Sequence, residues 1–121
     1  MIREIFYKYA YKWYNTPVNE QDESFEWLLA DFRKESLKNL DAPGAFEAIP
    51  EAIELLLEEN DDFLCWNLLL LLEELASRSD TTEIPATLAQ NWDRLELKLA
   101  SLNKPSFTLS MNGLKTWYRV K

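Results

Sequence analysis

Hydrophobic residues recur at helical spacing through most of the chain, beginning in its first segment. There the apolar stripe consists of Ile2, Ile5, Phe6, Tyr9, Ala10 and Trp13. Alternate positions from Ile5 to Trp13 are also apolar or aromatic, a pattern typical of a strand. We favour a helix over residues 2–14 because charged residues occupy the opposite side at four-residue spacing. A strand is the alternative, and the Thr16-Pro17 pair ends the element.

Two shorter helices are predicted next. The second helix runs to about Asn39, and its stripe consists of Phe25, Leu28, Leu29 and Phe32. Asp22 or Ser24 can cap its start, and the turn-forming residues 41–44 end it. A third helix is expected from Pro50, a residue suited to the first helical turn, to Glu59.

The fourth helix, from Phe63 to about Ser77, is apolar nearly all round and must therefore be covered on several sides. The fifth begins at Pro85, and its stripe consists of Leu88, Trp92, Leu95, Leu99 and Leu102. Short links predict an αα-hairpin between helices three and four and allow a second one between helices four and five.

The tail changes to a period of two. Apolar and polar residues alternate on both sides of Asn112-Gly113, a pair that is typical of tight hairpin turns. The sequence therefore predicts one mainly α domain over residues 1–121. It would consist of about five helices in a compact bundle with αα-hairpins, plus a C-terminal β-hairpin at residues 106–120 packed on the helices.

Composition removes most routes to catalysis. The chain has no histidine, one cysteine and two glycines, so it cannot form a histidine-based triad, a zinc-binding thiolate cluster or a glycine-rich phosphate loop. Cys65 lies in an apolar segment and is expected to be a buried thiol. We therefore expect a protein that is not an enzyme, with no catalytic residues, no cofactor and no metal site.

The location of the protein is predicted from its apolar segments. The longest apolar run, Leu68–Leu72, is far shorter than the roughly 20 residues of a membrane-spanning helix. The first residues scatter charges and do not resemble a signal peptide. A cytoplasmic protein without a membrane partner is expected.

Charge then indicates a partner. Residues 20–62 contain 14 carboxylates and three bases, a net charge of −11, within a chain of net charge −8. Such a surface disfavours nucleic acid and favours a basic protein. Off-stripe tyrosines can act as interface anchors, and packing against the C-terminal hairpin explains them at least as well. The candidate partner-binding residues are Glu47, Glu51, Glu54, Glu58, Glu59, Asp61, Asp62, Tyr7 and Tyr11. A merely solvated surface explains the acids equally well, and Trp27, Trp66 and Trp92 are assigned to the core.

Two segments carry a resemblance to a known class of protein. The sequences EENDDFL at 58–64 and RSDTTEIP at 78–85, which flank the leucine-rich helix, resemble small immunity proteins of bacterial polymorphic toxin and contact-dependent growth inhibition systems. The resemblance implies a cytoplasmic protein that binds one cognate toxin domain, commonly a nuclease, and blocks its active site. It assigns no inhibitory residues. The alternative is a helical adaptor or scaffold that binds another cytosolic protein.

Overall fold

The computed structural model describes residues 1–120, and within that range the chain forms helices and no strand. The mainly α class is therefore confirmed, whereas the expected number of about five helices is wrong. Across these residues seven α-helices and one 3₁₀ turn occur in the order α1 (Ile2–Asn15), the 3₁₀ turn (Val18–Glu20), α2 (Glu23–Glu26), α3 (Leu28–Leu37), α4 (Ala42–Glu58), α5 (Asp62–Arg78), α6 (Ala86–Ser101) and α7 (Pro105–Tyr118).

The helices α4 and α5 form the centre of the bundle. They pack against each other extensively, as the predicted αα-hairpin requires, while α1 and α6 pack on α4, and α3 and α7 pack on α5. The leucine-rich helix α5 is buried on several sides, as expected, and its fully buried leucines are Leu64, Leu68, Leu69, Leu71, Leu72 and Leu75. Instead of pairing with α5 in a second hairpin, α6 packs mainly on α4 and α7.

A direct contact explains how α6 is held on α4. The ammonium group of Lys98 donates to the backbone carbonyl of Leu57 at 2.8 Å and to that of Glu59. These carbonyls lie at the end of α4, where no further turn of helix can supply an N–H donor. A side chain from α6 therefore completes the end of α4.

The first segment is a helix, as favoured over a strand. Ile2, Phe6 and Ala10 recur at four-residue spacing and are buried, whereas Tyr7 and Tyr11 are exposed. A strand would have placed Tyr7, Tyr9 and Tyr11 on one face. The bundle instead buries one helical stripe of α1.

The predicted second helix is divided at Trp27, whose backbone leaves the helical region (φ −97°, ψ 2°). Asp22 caps α2, as one of the two expected residues. On one side of the break Phe25 stacks on Trp13 of α1, and on the other side Leu29 is buried in the core. The apolar stripe is therefore kept although the helix is interrupted.

The expected start of a helix at Pro50 is wrong, because α4 begins eight residues earlier. The Asp41 carboxylate accepts a hydrogen bond from the Gly44 N–H at 2.8 Å, so the cluster assigned to the end of the previous helix caps this one. Pro50 lies inside α4 and leaves the Phe46 carbonyl without its usual donor. Both residues are only partly buried, and fully buried Ile49 and Ile53 flank the proline. Core burial outweighs the missing bond.

The predicted β-hairpin at 106–120 is also wrong, because Asn112 and Gly113 lie within α7. The residues of α7 that become buried are Phe107, Met111, Leu114 and Tyr118, a stripe at helical spacing. Leu109, which the alternating pattern groups with Phe107, is 72% exposed. The surfaces of α5 and α6 select the helical stripe, and a lone hairpin would have been marginal.

Candidate protein-binding face

Three tyrosines lie on one exposed side of α1. Tyr7, Tyr11 and Tyr14 follow the i, i+4, i+7 spacing of a single helix face. Their exposed fractions are 51%, 70% and 57%, although the opposite side of the same helix is buried. The Tyr11 hydroxyl forms no hydrogen bond within residues 1–120, whereas the other two hydroxyls are bonded. Large aromatic surface is thus held in water by a helix whose other side is packed.

Carboxylates of α4 lie beside this row, where Arg3 bridges the two helices. Its Nη1 atom donates to Glu58 Oε2 at 2.9 Å and to the Tyr7 hydroxyl at 2.7 Å, and its Nη2 atom lies 3.3 Å from Glu54 Oε2. The Arg3 backbone N–H donates to Glu51 at 2.6 Å. The hydrogen bond from Arg3 lowers the pKa of Glu58. Three of the predicted docking carboxylates therefore position α1, and Glu54 and Glu58 remain more than half exposed.

Glu59 holds the turn between α4 and α5. Its Oε2 atom accepts the backbone N–H groups of Asn60 and Asp61, each at 2.9 Å, and also the hydroxyl of Tyr14. Partial removal from water, followed by this hydrogen bond, raises the pKa of Tyr14 above its ordinary value. The tyrosine ring is consequently fixed at the end of α1.

Asp61 has a structural role as well. One carboxylate oxygen accepts the Leu64 N–H at 2.9 Å and caps α5, and the other accepts the Trp13 Nε1–H at 3.3 Å. Trp13 also stacks on Phe63 with 4.9 Å between ring centroids. The Asp61 carboxylate, which was predicted to face a partner, therefore accepts hydrogen bonds within the fold through both of its oxygens.

The two remaining predicted carboxylates lie elsewhere. Glu47 is exposed near the start of α4, in a depression that it shares with Ser79 and Glu83. Asp62 lies 3.9 Å from Lys104 and lines a different groove with Trp66. The structure therefore brings together part of the predicted set. We define the α1–α4 face as Tyr7, Tyr11, Tyr14, Glu54, Glu58 and Glu59.

One aromatic residue is placed where the sequence analysis did not expect it. Trp92 is buried and Trp66 packs edge-on against Phe107, as core residues do. Trp27, however, is 64% exposed, so its core assignment is wrong. It lies about 200° around a helix from Phe25, and this angular offset from the stripe could have indicated its exposure. An exposed tryptophan is a second candidate for contact with another protein.

A metal site and a membrane span are two other features on which a function could depend. Within residues 1–120 no three potential metal ligands from His, Cys, Asp or Glu cluster together, and no helix there is long and apolar enough to span a bilayer. Comparisons of the chain with protein-family models, curated proteins and solved structures find no match. Function must therefore be inferred from the surface itself.

Proposed function

We propose that this chain is an immunity-type protein that binds and neutralises a cognate toxin domain in the cytoplasm, and that it docks through the α1–α4 face. The observation that carries the proposal is the row of three tyrosines on one helix face, each more than half exposed. Tyrosine is enriched in protein interfaces because its rigid ring buries much apolar area and its hydroxyl still forms hydrogen bonds. Three largely exposed rings on one helix face therefore support a partner that covers them.

Electrostatics supports a basic partner. The face has Glu54 and Glu58 at its edge, and the chain carries a net charge of −8. Opposite charge increases the rate of association and disfavours wrong partners. A nuclease toxin, which must bind phosphate groups, presents such a basic surface. An inhibitor seated on that surface would exclude the nucleic acid from the active site.

The resemblance of residues 58–64 and 78–85 to immunity proteins supports the same class. Residues 58–64 include Glu59 and Asp61, the two carboxylates that hold the α4–α5 turn. The immunity-like segment thus contributes Glu58 and Glu59 directly to the proposed face. An adaptor would use the same surface without inhibiting its partner, so the two functions differ in the partner's activity.

The test uses secreted toxins encoded next to the gene of this chain. Each C-terminal toxin domain is induced in a host with and without co-expression of this protein, and growth is followed. We expect rescue by wild type and a purified complex whose association slows between about 0.05 M and about 0.5 M salt. In the complex the toxin should be inactive.

The proposed face is tested with two matched variants. Tyr11→Ala removes the most exposed ring of the row, and Leu109→Ala removes an apolar side chain of similar exposure on α7. We expect Tyr11→Ala to weaken binding at least roughly tenfold and Leu109→Ala to leave it unchanged. If the protein rescues growth from none of the neighbouring toxins, the proposed immunity function is refuted. Binding of an active partner would favour the adaptor, and an unaffected Tyr11→Ala complex would exclude this face.

A further inference from the structure

A groove with a volume of about 750 Å³ lies between α3 and α5. Tyr9 lines it from α1 and is on the side away from Tyr7 and Tyr11. Four bases also line it, in a molecule dominated by acids: Arg33, Lys34, Lys38 and Arg78. The first three are all the bases that residues 20–62 contain. The fold has gathered the scarce positive charge of this region into one concave surface.

Two guanidinium groups in this groove are held in place. Arg33 donates to Glu74 at 2.9 Å and to the Asn67 side-chain carbonyl at 3.3 Å. Arg78 donates to the backbone carbonyl of Leu37 at 2.8 Å. Each guanidinium has five N–H donors, so further donors remain for a ligand. The groove therefore offers donors whose orientation is fixed before anything binds.

The carboxylates that line the groove do not cancel its charge. Glu74 is bound by Arg33, and Glu35 is bound by Lys8, whose ammonium lies 2.8 Å from both carboxylate oxygens. Asp31 is the remaining carboxylate of the lining, and Lys34, Lys38 and Arg78 outnumber it. None of these three cations has a carboxylate oxygen within 4.0 Å among residues 1–120. The groove is locally positive.

Compensation of the helix ends accounts for only part of this charge. The C-terminus of α3 carries a partial negative charge that favours one nearby cation. Arg78 already bonds the Leu37 carbonyl at that end. Lys34 and Lys38 are exposed, so water hydrates their ammonium groups. Their charge is available to a ligand.

We propose that this groove binds a small organic molecule that carries a phosphate group. Fixed guanidinium donors combined with flexible ammonium groups are a common means of binding phosphate, and several positive charges match a dianion better than a single carboxylate. The volume exceeds what one inorganic anion needs, and Ala30, Leu37 and the Tyr9 ring provide an apolar wall for the organic part. This site is independent of the proposed toxin-binding face.

The probes are glycerol 3-phosphate, inorganic phosphate and glycerate, each titrated at constant ionic strength while backbone amides and arginine Nε–H groups are followed by NMR. We expect glycerol 3-phosphate to shift the signals of Arg33, residues 34–39 and Arg78, and to bind more tightly than inorganic phosphate. Glycerate, which carries a single carboxylate, should bind at least roughly tenfold more weakly. Absence of these shifts, or equal binding of glycerate, would overturn the proposal.

Matched double variants exclude a general charge effect. Lys34→Ala with Lys38→Ala removes two charges inside the groove, and Arg94→Ala with Lys104→Ala removes two exposed charges outside it. We expect the first pair to weaken glycerol 3-phosphate binding at least roughly tenfold and the second to leave it unchanged. Equal weakening by both pairs would show attraction by net charge and refute a site. Thermal melts of both variants verify that each remains folded.

Discussion

The helix α4 packs against α5 and against α1 in two different ways. Where α4 meets α5 both helices are buried, and Ile53 and Leu56 of α4 are fully removed from water. The contact of α4 with α1 includes ion pairs of Arg3 at the solvent edge, while the buried Phe6 of α1 packs edge-on against Phe32 of α3. We therefore expect burial to provide most of the stability and the charged contact to position α1. Surface residues of α1 are expected to be replaceable without unfolding the bundle.

The largest effect is expected for Leu68→Ala, within the α4–α5 core. The side chain is fully buried, so its removal should lower the free energy of unfolding by about 2–5 kcal/mol through lost burial and the cavity left behind. Urea denaturation measures the change. The matched variant Leu97→Ala removes a leucine that is 72% exposed on α6 and should stay within about 0.5 kcal/mol of wild type. Similar losses for both leucines would contradict the central role of α5.

An intermediate effect is expected for Asp61→Ala, at the point where the two contacts meet. The variant loses the cap on α5 and the acceptor for Trp13, and should lower the free energy of unfolding by about 1–2 kcal/mol. Asp61→Asn keeps a capping oxygen and should retain most of that stability. Denaturation followed by tryptophan fluorescence reports both variants. Equal losses from Ala and Asn would show that the negative charge, and not the cap, is what matters.

Loss of the hydroxyl group should change the free energy of unfolding in opposite directions at two tyrosines. The Tyr118 hydroxyl on α7 is buried without a hydrogen-bond partner among residues 1–120, and burial raises its pKa to about 12. Tyr118→Phe should therefore stabilise the protein by about 1 kcal/mol. Tyr14→Phe loses the bond to Glu59 and should destabilise it by about 0.5–1 kcal/mol. Thermal unfolding compares the two, and a loss of stability in Tyr118→Phe would mean that its hydroxyl has a partner.

The smallest effect is expected from the ion pairs of α1, and it should depend on pH. Hydrogen bonds from Lys8 and Arg3 lower the pKa of Glu35 and Glu58 below the ordinary 4.5. The native state thus binds fewer protons than the unfolded chain in this range, so this stabilisation is present above that value and is lost as the pH falls through the lowered pKa values. Arg3→Gln should be slightly less stable than wild type near neutral pH, and the difference should shrink as the pH falls below 4.5. A difference that persists in acid would assign the role of Arg3 to packing.

The fold could be predicted from the sequence where periodicity and burial agree. For α5 and α6 the apolar positions fit a helix, and in α1 the charged residues at four-residue spacing favoured a helix over the strand that the alternation also allowed. In α7, Phe107 and Met111 satisfy both the alternating and the helical pattern, and the surfaces of α5 and α6 decide between them. The prediction that Pro50 starts a helix is wrong, because the preference of proline for the first helical turn reflects local hydrogen bonds only. The burial of the isoleucines on either side of it keeps the proline inside α4.

The candidate face could be predicted only in part. The spacing placed Tyr7 and Tyr11 off the apolar stripe but left open whether they face a partner or pack under the C-terminal segment, and the structure shows both exposed. The roles of the carboxylates could not be found, because Arg3 lies 51 and 55 residues from its partners Glu54 and Glu58. Charge counted along a chain does not distinguish an acid that faces a partner from one that positions a helix.

The sequence by itself determined the helical class, the central position of the leucine-rich α5 and the acidic character of the surface. These properties follow from the composition of the chain and from the spacing of apolar residues within single segments. Only the tertiary structure decided that the tail is a helix, that Glu54 and Glu58 pair with Arg3 and that Lys34, Lys38 and Arg78 share a groove. Those outcomes depend on which distant surfaces meet, because burial by another element selects among conformations that are locally almost equivalent.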